Sequence, residues 1–499
     1  AVMSFFGDTP GPLAVSPDRN IVYACVFKSG NQTTIVGRVL ICPGGIEAEP
    51  CQIYEGVNAP GGLPPPNENA EGIRMPEAGL IVKWDGEGWK DELDRDWSSV
   101  IKLDLPDYDV FAIDAMAETP NQLALYPGVG TILYAMAVNP ANQKLYVANT
   151  EARNEVRFEG MRQPDSEIST VMGHLHETRV TVIDPVNATV IPRHLNKHID
   201  YTQLIAPPDV KERSLSMPVG MAFTADGETV YLAAKGSDKI AILDAKELER
   251  DNFEPSDRDH IKIPGGGPAG LLLDEPRQRL YVLNRYDNSL AVVDTRRKKV
   301  VNTTSLFNPE PESVTAGRPF FFNAYLTSSN GESSCASCHV AGDKDELSWD
   351  LGDPNDLMVE NPSPVVGPLR GMKDFHPMKG PMLTQTMRGI QNHGPLHWRG
   401  DRNGGFDPDG DPMDVAAAMD QFNPAFVTLL GRESILPQED MDKLTAWSLQ
   451  ITPPPNPIRA LDNSLTPMQQ AGKDFFTGAS SVMGRTTCAS CHPVSSERN

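Results

Sequence analysis

The sequence predicts an all-β propeller of about seven blades over residues 1–312, followed by a mainly α-helical domain. Three observations carry that expectation. A strand signal of period two recurs through the first part. The period changes after Asn308-Pro309-Glu310-Pro311, and helical patterns take over. Four of the seven cysteines sit in two short, identical motifs of the second part.

The strand signal keeps a fixed order. Ser16-Pro17-Asp18 leads into Ile21-Val22-Tyr23-Ala24-Cys25-Val26, and the same order returns at Met136 to Asn149, Met221 to Ala233 and Gly270 to Asn284. Each copy is followed by a β-rich stretch ending in aspartate: Val110 to Asp114, Val180 to Asp184, Ile240 to Asp244 and Leu290 to Asp294. The separation of those aspartates shrinks from 70 to 60 to 50 residues, so the unit carries loop insertions of different size. Four-stranded blades of ~40–50 residues mark a propeller, and the segment has room for about seven. A pair of β-sandwiches is the competing architecture, and it leaves the repeat unexplained. Tyr146-Val147-Ala148-Asn149 and Tyr281-Val282-Leu283-Asn284 resemble the strands of the YVTN-type propeller family, which implies a fold and no particular activity.

In the second part, helices are expected at Val415 to Leu430, interrupted by Pro424, and at Glu439 to Leu449, with Met441, Leu444, Trp447 and Leu449 as an apolar face. The run Ile451-Thr452-Pro453-Pro454-Pro455-Asn456-Pro457 is stiff and extended. The expected organisation is therefore residues 1–312, then 313–450, a proline-rich linker at 451–460, and 461–499.

Composition narrows the function. A net charge of −23 argues against nucleic acid and anionic membranes, both of which need a basic face. No apolar run approaches the ~18–20 residues of a membrane span. Ala1-Val2-Met3-Ser4 reads as a processed start. The 44 prolines, nearly twice the usual ~5 %, indicate frequent turns.

Chemistry is concentrated in Cys335-Ala336-Ser337-Cys338-His339 and Cys488-Ala489-Ser490-Cys491-His492. C-x-x-C-H is the pattern of covalent c-type haem attachment. Two thiols three residues apart add to the two porphyrin vinyl groups, and the adjacent imidazole reaches the iron. Zinc and redox dithiols also use C-x-x-C, but paired zinc knuckles lie much closer in sequence than Cys338 and Cys488. The spacing predicts two covalently bound haem c, anchored by Cys335, Cys338, Cys488 and Cys491, with His339 and His492 as proximal ligands. Gly317-Arg318-Pro319-Phe320-Phe321-Phe322 precedes the first motif, and Gly472-Lys473-Asp474-Phe475-Phe476 the second.

With these lead-ins, Gly317 to His492 resembles the di-haem cytochrome c peroxidase superfamily. The resemblance implies a mainly α-helical di-haem cytochrome c domain, one haem taking up electrons and the other meeting peroxide. It places His397, in Gly394-Pro395-Leu396-His397-Trp398-Arg399-Gly400-Asp401, as distal ligand of the first haem, with His393 and His376 as alternatives. Arg399 and Arg402 are candidates to neutralise propionates or to be surface ions, and Trp398 or Trp349 to bridge the haems or to pack in the core. Only seven residues follow His492, whereas the family continues with a segment that caps the second haem. The nearest remaining ligands for that haem are Met468 and Met483, and a methionine would raise its potential.

Three further groups are less specific. Asp401, Asp407, Asp409 and Asp411 suggest either a calcium loop or a solvated acidic turn. His174, His176, Glu177, His194 and His198 suggest either a copper or zinc site or ordinary loop histidines. Cys42 and Cys51 can form a disulfide, which suits the extracytoplasmic setting of haem attachment, and Cys25 reads as a buried thiol.

The expected function is a periplasmic or otherwise extracytoplasmic di-haem oxidoreductase, with electron transfer and peroxide reduction at one haem. Its partner is a small electron-carrier protein or a larger redox complex. The alternative is a non-catalytic electron-transfer subunit docked through its propeller. A propeller dehydrogenase is the third reading, and no cofactor constellation in the strands favours it.

Overall fold

Period-two strands whose successive residues are all buried need apolar neighbours on both faces, and stacked sheets provide them. A computed structural model describes residues 2–161, 170–362, 374–392, 395–406, 409–478 and 487–490 of the chain.

The first sheet opens with β1 (Asp8–Val15) and β2 (Ile21–Lys28). An insertion then carries β3 (Thr33–Val36), β4 (Cys51–Tyr54), β5 (Val57–Ala59), β6 (Leu80–Trp84) and β7 (Trp89–Lys90). The sheet resumes with β8 (Val110–Asp114) and β9 (Asn121–Tyr126). The second consists of β10 (Ile132–Val138), β11 (Leu145–Ala152), β12 (His176–Asp184) and β13 (Thr189–His194). After the short helix α1 (Pro208–Arg213), the third runs β14 (Pro218–Phe223), β15 (Thr229–Ala234), β16 (Lys239–Asp244) and β17 (His260–Lys262), with α2 (Ala245–Glu249) between the last two. The fourth is β18 (Pro268–Asp274), β19 (Arg279–Asn284), β20 (Ser289–Asp294) and β21 (Lys299–Ser305). Each is an antiparallel meander, and Ile132 opposite Lys28 joins the first two into one curled eight-stranded sheet.

The meanders stack through their first strands, β1 against β10, β10 against β14 and β14 against β18. Alternate residues of one strand therefore serve different cores. Val230 and Leu232 of β15 pack with Tyr146, Val180 and Val182 of the second sheet. Tyr231 and Ala233 face the other way, onto Leu280, Val282 and Val293 of the fourth. This is a propeller-like arrangement. It contains four such meanders among the described residues, not about seven, because residues 29–109 and 195–217 are insertions and not further blades.

The recurring aspartates have a local cause. Asp114, Asp184 and Asp244 each accept two backbone N–H groups just downstream, at 2.8–3.1 Å, and Asp294 accepts that of Arg297 at 3.0 Å. Asp114, Asp184 and Asp294 close the turn after the third strand with a side-chain mimic of a backbone turn, and Asp244 caps the N-terminus of α2.

Beyond Ser305 the described residues are not mainly helical. Short helices α3 (Glu312–Phe322), α4 (Ala324–Thr327), α5 (Val415–Asp420), α6 (Ala425–Thr428), α7 (Gln438–Ser448) and α8 (Pro467–Thr477) alternate with long irregular stretches and one small ribbon, β22 (Ser348–Trp349) with β23 (Met382–Leu383). Helices α3 and α7 pack closely, with Phe321 and Phe322 4.3 and 5.6 Å from the Trp447 ring. A Cβ on Gly317 would run into the Lys443 carbonyl and Trp447. Gly317→Ala is therefore expected to destabilise the fold by about 1–3 kcal/mol, measured by chemical denaturation. These helices share one apolar core with Ala152, Val156, Leu175, Met217 and Tyr286 of the first part.

No helix among the described residues is long and apolar enough to cross a membrane. Cys42 and Cys51 form a disulfide, and Cys25 is a buried thiol, pushed up to about 12 by burial.

Candidate functional site

Helix α3 delivers the chain through α4 to a loop, Ser328 to Ser334, whose small polar side chains are almost wholly buried. Ser328 and Thr327 turn their hydroxyls back onto the Ala324 and Asn323 carbonyls, which lets such residues sit inside. The loop ends in a single 3₁₀ turn, Cys335–Ser337, boxed by Ser334 and Ser337. Cys335 and Cys338 emerge from it side by side with Ala336 beneath, half-buried against the core of Phe321, Trp349 and Trp447.

Burial pushes Cys335 up to about 12, and burial, with the charges of Asp345 and Cys335, pushes Cys338 well above the usual thiol value. His339 follows directly. Its Nδ1 lies 2.8 Å from the Gln385 carbonyl, which fixes that nitrogen as the donor and leaves the lone pair of the neutral ring on Nε2. Burial lowers its affinity for a proton; the Gln385 and Asp343 backbone work against that.

The charge of His397 adds to the lowering of the His339 proton affinity. His397 Nδ1 is 2.5 Å from Asp401 Oδ1, so its Nε2 is likewise the free nitrogen. Burial lowers its proton affinity, with the Asp401 hydrogen bond opposing. Asp401 is itself held far below the carboxylate range: burial opposes this, and His397 and Arg399 override it. His376 is already engaged at both nitrogens, with the Ile73 carbonyl and the Met378 N–H each at 3.1 Å, so it is not available as a ligand.

Of the second motif, Cys488 lies in the 3₁₀ turn Cys488–Ser490 and is half-buried. Cys491, His492, His393, Met483 and Asp407 lie outside the described residues. Met468 on α8 is 85 % exposed. Arg399 holds Asp401, and Arg402 lies over the Phe422 ring. Trp349 is buried with its indole N–H on Asp345, whereas Trp398 is exposed and donates to the Leu383 carbonyl. Among the described residues no three carboxylate, imidazole or thiol groups converge as a metal site. In the acidic turn, Asp411 and Asp414 are engaged with the backbone N–H groups of Met413, Ala416 and Ala417.

The histidines of the first part form a hydrogen-bonded network instead. Its centre is Glu332, fully buried three residues before Cys335, which accepts from Thr178 N (2.9 Å), Asn196 Nδ2 (2.8 Å) and the Tyr201 hydroxyl, and meets His194 Nε2 at 3.2 Å. His174 stacks on Tyr201 with centroids 3.4 Å apart, and His176 Nδ1 meets Ser333 Oγ at 3.2 Å. His198 turns away to the Val210 carbonyl. Sequence reasoning misses Glu332 and places Asp401 only in an acidic turn, not on His397. The adjacency of Glu332 to Cys335 is its one local signal; its partners lie more than 130 residues away.

No protein-family model matches the chain, and no curated protein does. Among solved structures the chain is similar to the periplasmic gluconolactonase PpgL of Pseudomonas aeruginosa (12 % identity, TM-score 0.29, 60 % of this chain and 58 % of that one). It is also similar to a putative 6-phosphogluconolactonase of Bacteroides uniformis (11 %, TM-score 0.29, 59 % and 57 %) and to Kuenenia stuttgartiensis hydrazine synthase (17 %, TM-score 0.26, 57 % and 82 %). The chain thus spans less than two thirds of the first of these.

Proposed function

We propose that the protein is an extracytoplasmic di-haem c-type cytochrome oxidoreductase that exchanges electrons with a small carrier protein or a larger redox complex and reduces peroxide at one haem. The observation that carries this reading is the first C-x-x-C-H motif itself: two adjacent thiols, and a histidine whose Nδ1 is fixed by a backbone carbonyl. The donor set fits a haem c. Cys335 and Cys338 would anchor it, His339 Nε2 would face the iron, and the partly buried Met387, Leu429 and Ile451 offer an apolar wall. When bound, haem supplies reversible one-electron chemistry and, at an open axial position, reaction with peroxide. Under this reading residues 1–312 are the docking scaffold, and the haem-bearing parts are 313–450 and 461–499, joined by 451–460. The Cys42–Cys51 disulfide supports an oxidising compartment.

The hydrogen bond between His397 Nδ1 and Asp401, which leaves Nε2 to serve as a ligand, favours a second reading, an electron-transfer subunit with both irons six-coordinate. Intact mass after expression with a haem-attachment system tests both readings, which require two covalent haems per chain. Spectra of the half-reduced protein then separate them. A high-spin haem that reacts with peroxide supports the oxidoreductase, and low-spin irons alone support the carrier.

A further inference from the structure

The stack of meanders ends in two sheet faces that the described residues leave largely uncovered. Interior strands use both faces: Val230 and Leu232 of β15 pack one way, Tyr231 and Ala233 the other, and all four are buried. The last meander uses one. Leu280, Val282, Ala291 and Val293 pack against the third sheet. Their neighbours in sequence point away from it. The register sets Leu272 opposite Tyr281, Tyr281 opposite Val292 and Leu283 opposite Leu290, so these five make one apolar patch across β18, β19 and β20. Leu272 is 67 % exposed, and Leu283 is exposed too.

The first meander has the same feature at the other end of the stack. Ala14, Tyr23, Cys25, Val110 and Ala112 pack towards the second sheet. Leu13 and Val15 point away, opposite Ala24 and Val22, which in turn stand opposite Phe111 and Ile113. Phe5 lies on Phe111 with ring centroids 4.4 Å apart, but Leu13 stays 66 % exposed and Val15 51 %. Contiguous exposed apolar surface of this kind marks an interaction site.

Charge distinguishes the two ends. Residues 268–305 carry seven Lys and Arg against four Asp and Glu, in a chain of net charge −23. Arg296, Arg297 and Lys299 are exposed in the hairpin after the third strand. The equivalent hairpin of the first meander holds Asp114 and Glu118, and residues 104–126 contain five Asp and Glu and no Lys or Arg. Stacked meanders bring like elements side by side, so a last meander set on a first one places its basic hairpin on an acidic one.

We propose that two copies of this chain join head to tail, the last meander of each stacking on the first meander of the other, to close a ring of eight meanders about a two-fold axis. The contact continues the packing that β1, β10, β14 and β18 already make inside the chain. Four meanders do not close by themselves, since both end faces stay exposed, and closed propellers have about four to eight blades. A head-to-tail contact whose rotation closes after two copies leaves neither face open. The pairing involves the first part of the chain and does not depend on haem.

Sedimentation equilibrium of the full chain between about 1 and 100 µM tests this. Wild type is expected at twice the chain mass. Leu272→Asp and Leu13→Asp, both at exposed positions, are each expected to halve it, with circular dichroism confirming the fold. Mixed in equal amounts, the two variants should regain a two-chain species, because one of the two contacts then joins unaltered faces. Failure to regain it at the highest concentration overturns the head-to-tail arrangement. Arg296→Glu with Arg297→Glu should raise the dissociation constant about tenfold at low salt. A wild type of single mass across the range overturns the proposal, and so does a ladder of larger species, which would mean that the ring does not close. A dimer that survives either leucine substitution places the contact elsewhere and overturns it as well.

Discussion

Replacing Glu332 by alanine is expected to lower stability by about 3–5 kcal/mol, because it leaves His194 and several buried donors without their acceptor. The same residue sets an acid limit. Burial alone would raise its pKa, but the hydrogen bond and charge of His194, the charge of His176 and the Tyr201 hydroxyl hold it at about 2. An acid depressed in the folded state contributes stability that is complete above its ordinary value near 4.5 and is lost as pH falls toward 2. The window is worth about 3 kcal/mol.

His176 adds a second window with the same sign. Burial holds it neutral, at about 4 instead of 6.5, so its contribution falls as pH drops through that range. His194 runs the other way. Burial works against its proton, but Glu332 raises its pKa, so its contribution is complete below 6.5 and fades at higher pH. Unfolding by denaturant, followed by the fluorescence of the buried Trp349 and Trp447, should show wild type weakening between pH 4.5 and 2, and Glu332→Gln should weaken less over that range, the remainder coming from Asp401 and Glu177. An identical pH profile for the two proteins would remove Glu332 from its central role.

The second large effect concerns the motif. Under the proposed function, replacing Cys335 and Cys338 together by alanine is expected to remove one of two covalent haems, cutting the Soret absorbance per chain by about half. Cys488→Ala with Cys491→Ala should do the same, and all four changes should leave a colourless protein. Intact mass reads each result directly. A quadruple variant that still carried covalent haem would place the attachment elsewhere. Because both cysteines of the first pair border the core of Phe321 and Trp447, a circular dichroism control is needed to show that the apoprotein still folds.

Features that depend on near neighbours are legible in the amino-acid sequence alone. The turn aspartates act on residues two or three positions away, and the strands of the four meanders lie where the alternation puts them. The Cys42–Cys51 disulfide closes a short loop. The number of blades is not legible, because length alone does not distinguish a blade from an insertion such as residues 29–109. Helical content is overestimated for a related reason: a 3.6-residue period is visible in α7, but Pro424 and Pro437 confine the neighbouring segments to short turns. Asp401 lies only four residues from His397, yet without the left-handed turn between them the pairing cannot be read.

By itself, the sequence determined the strand repeat, its turn chemistry, and the two cysteine and histidine motifs, since each depends on spacing along a few residues. Only the tertiary structure decided that His397 pairs with Asp401, that His376 is already engaged, and that Glu332 joins the motif to the first part. Those outcomes depend on groups brought together across long stretches of chain, where burial and hydrogen-bond satisfaction, and not local pattern, select the partners.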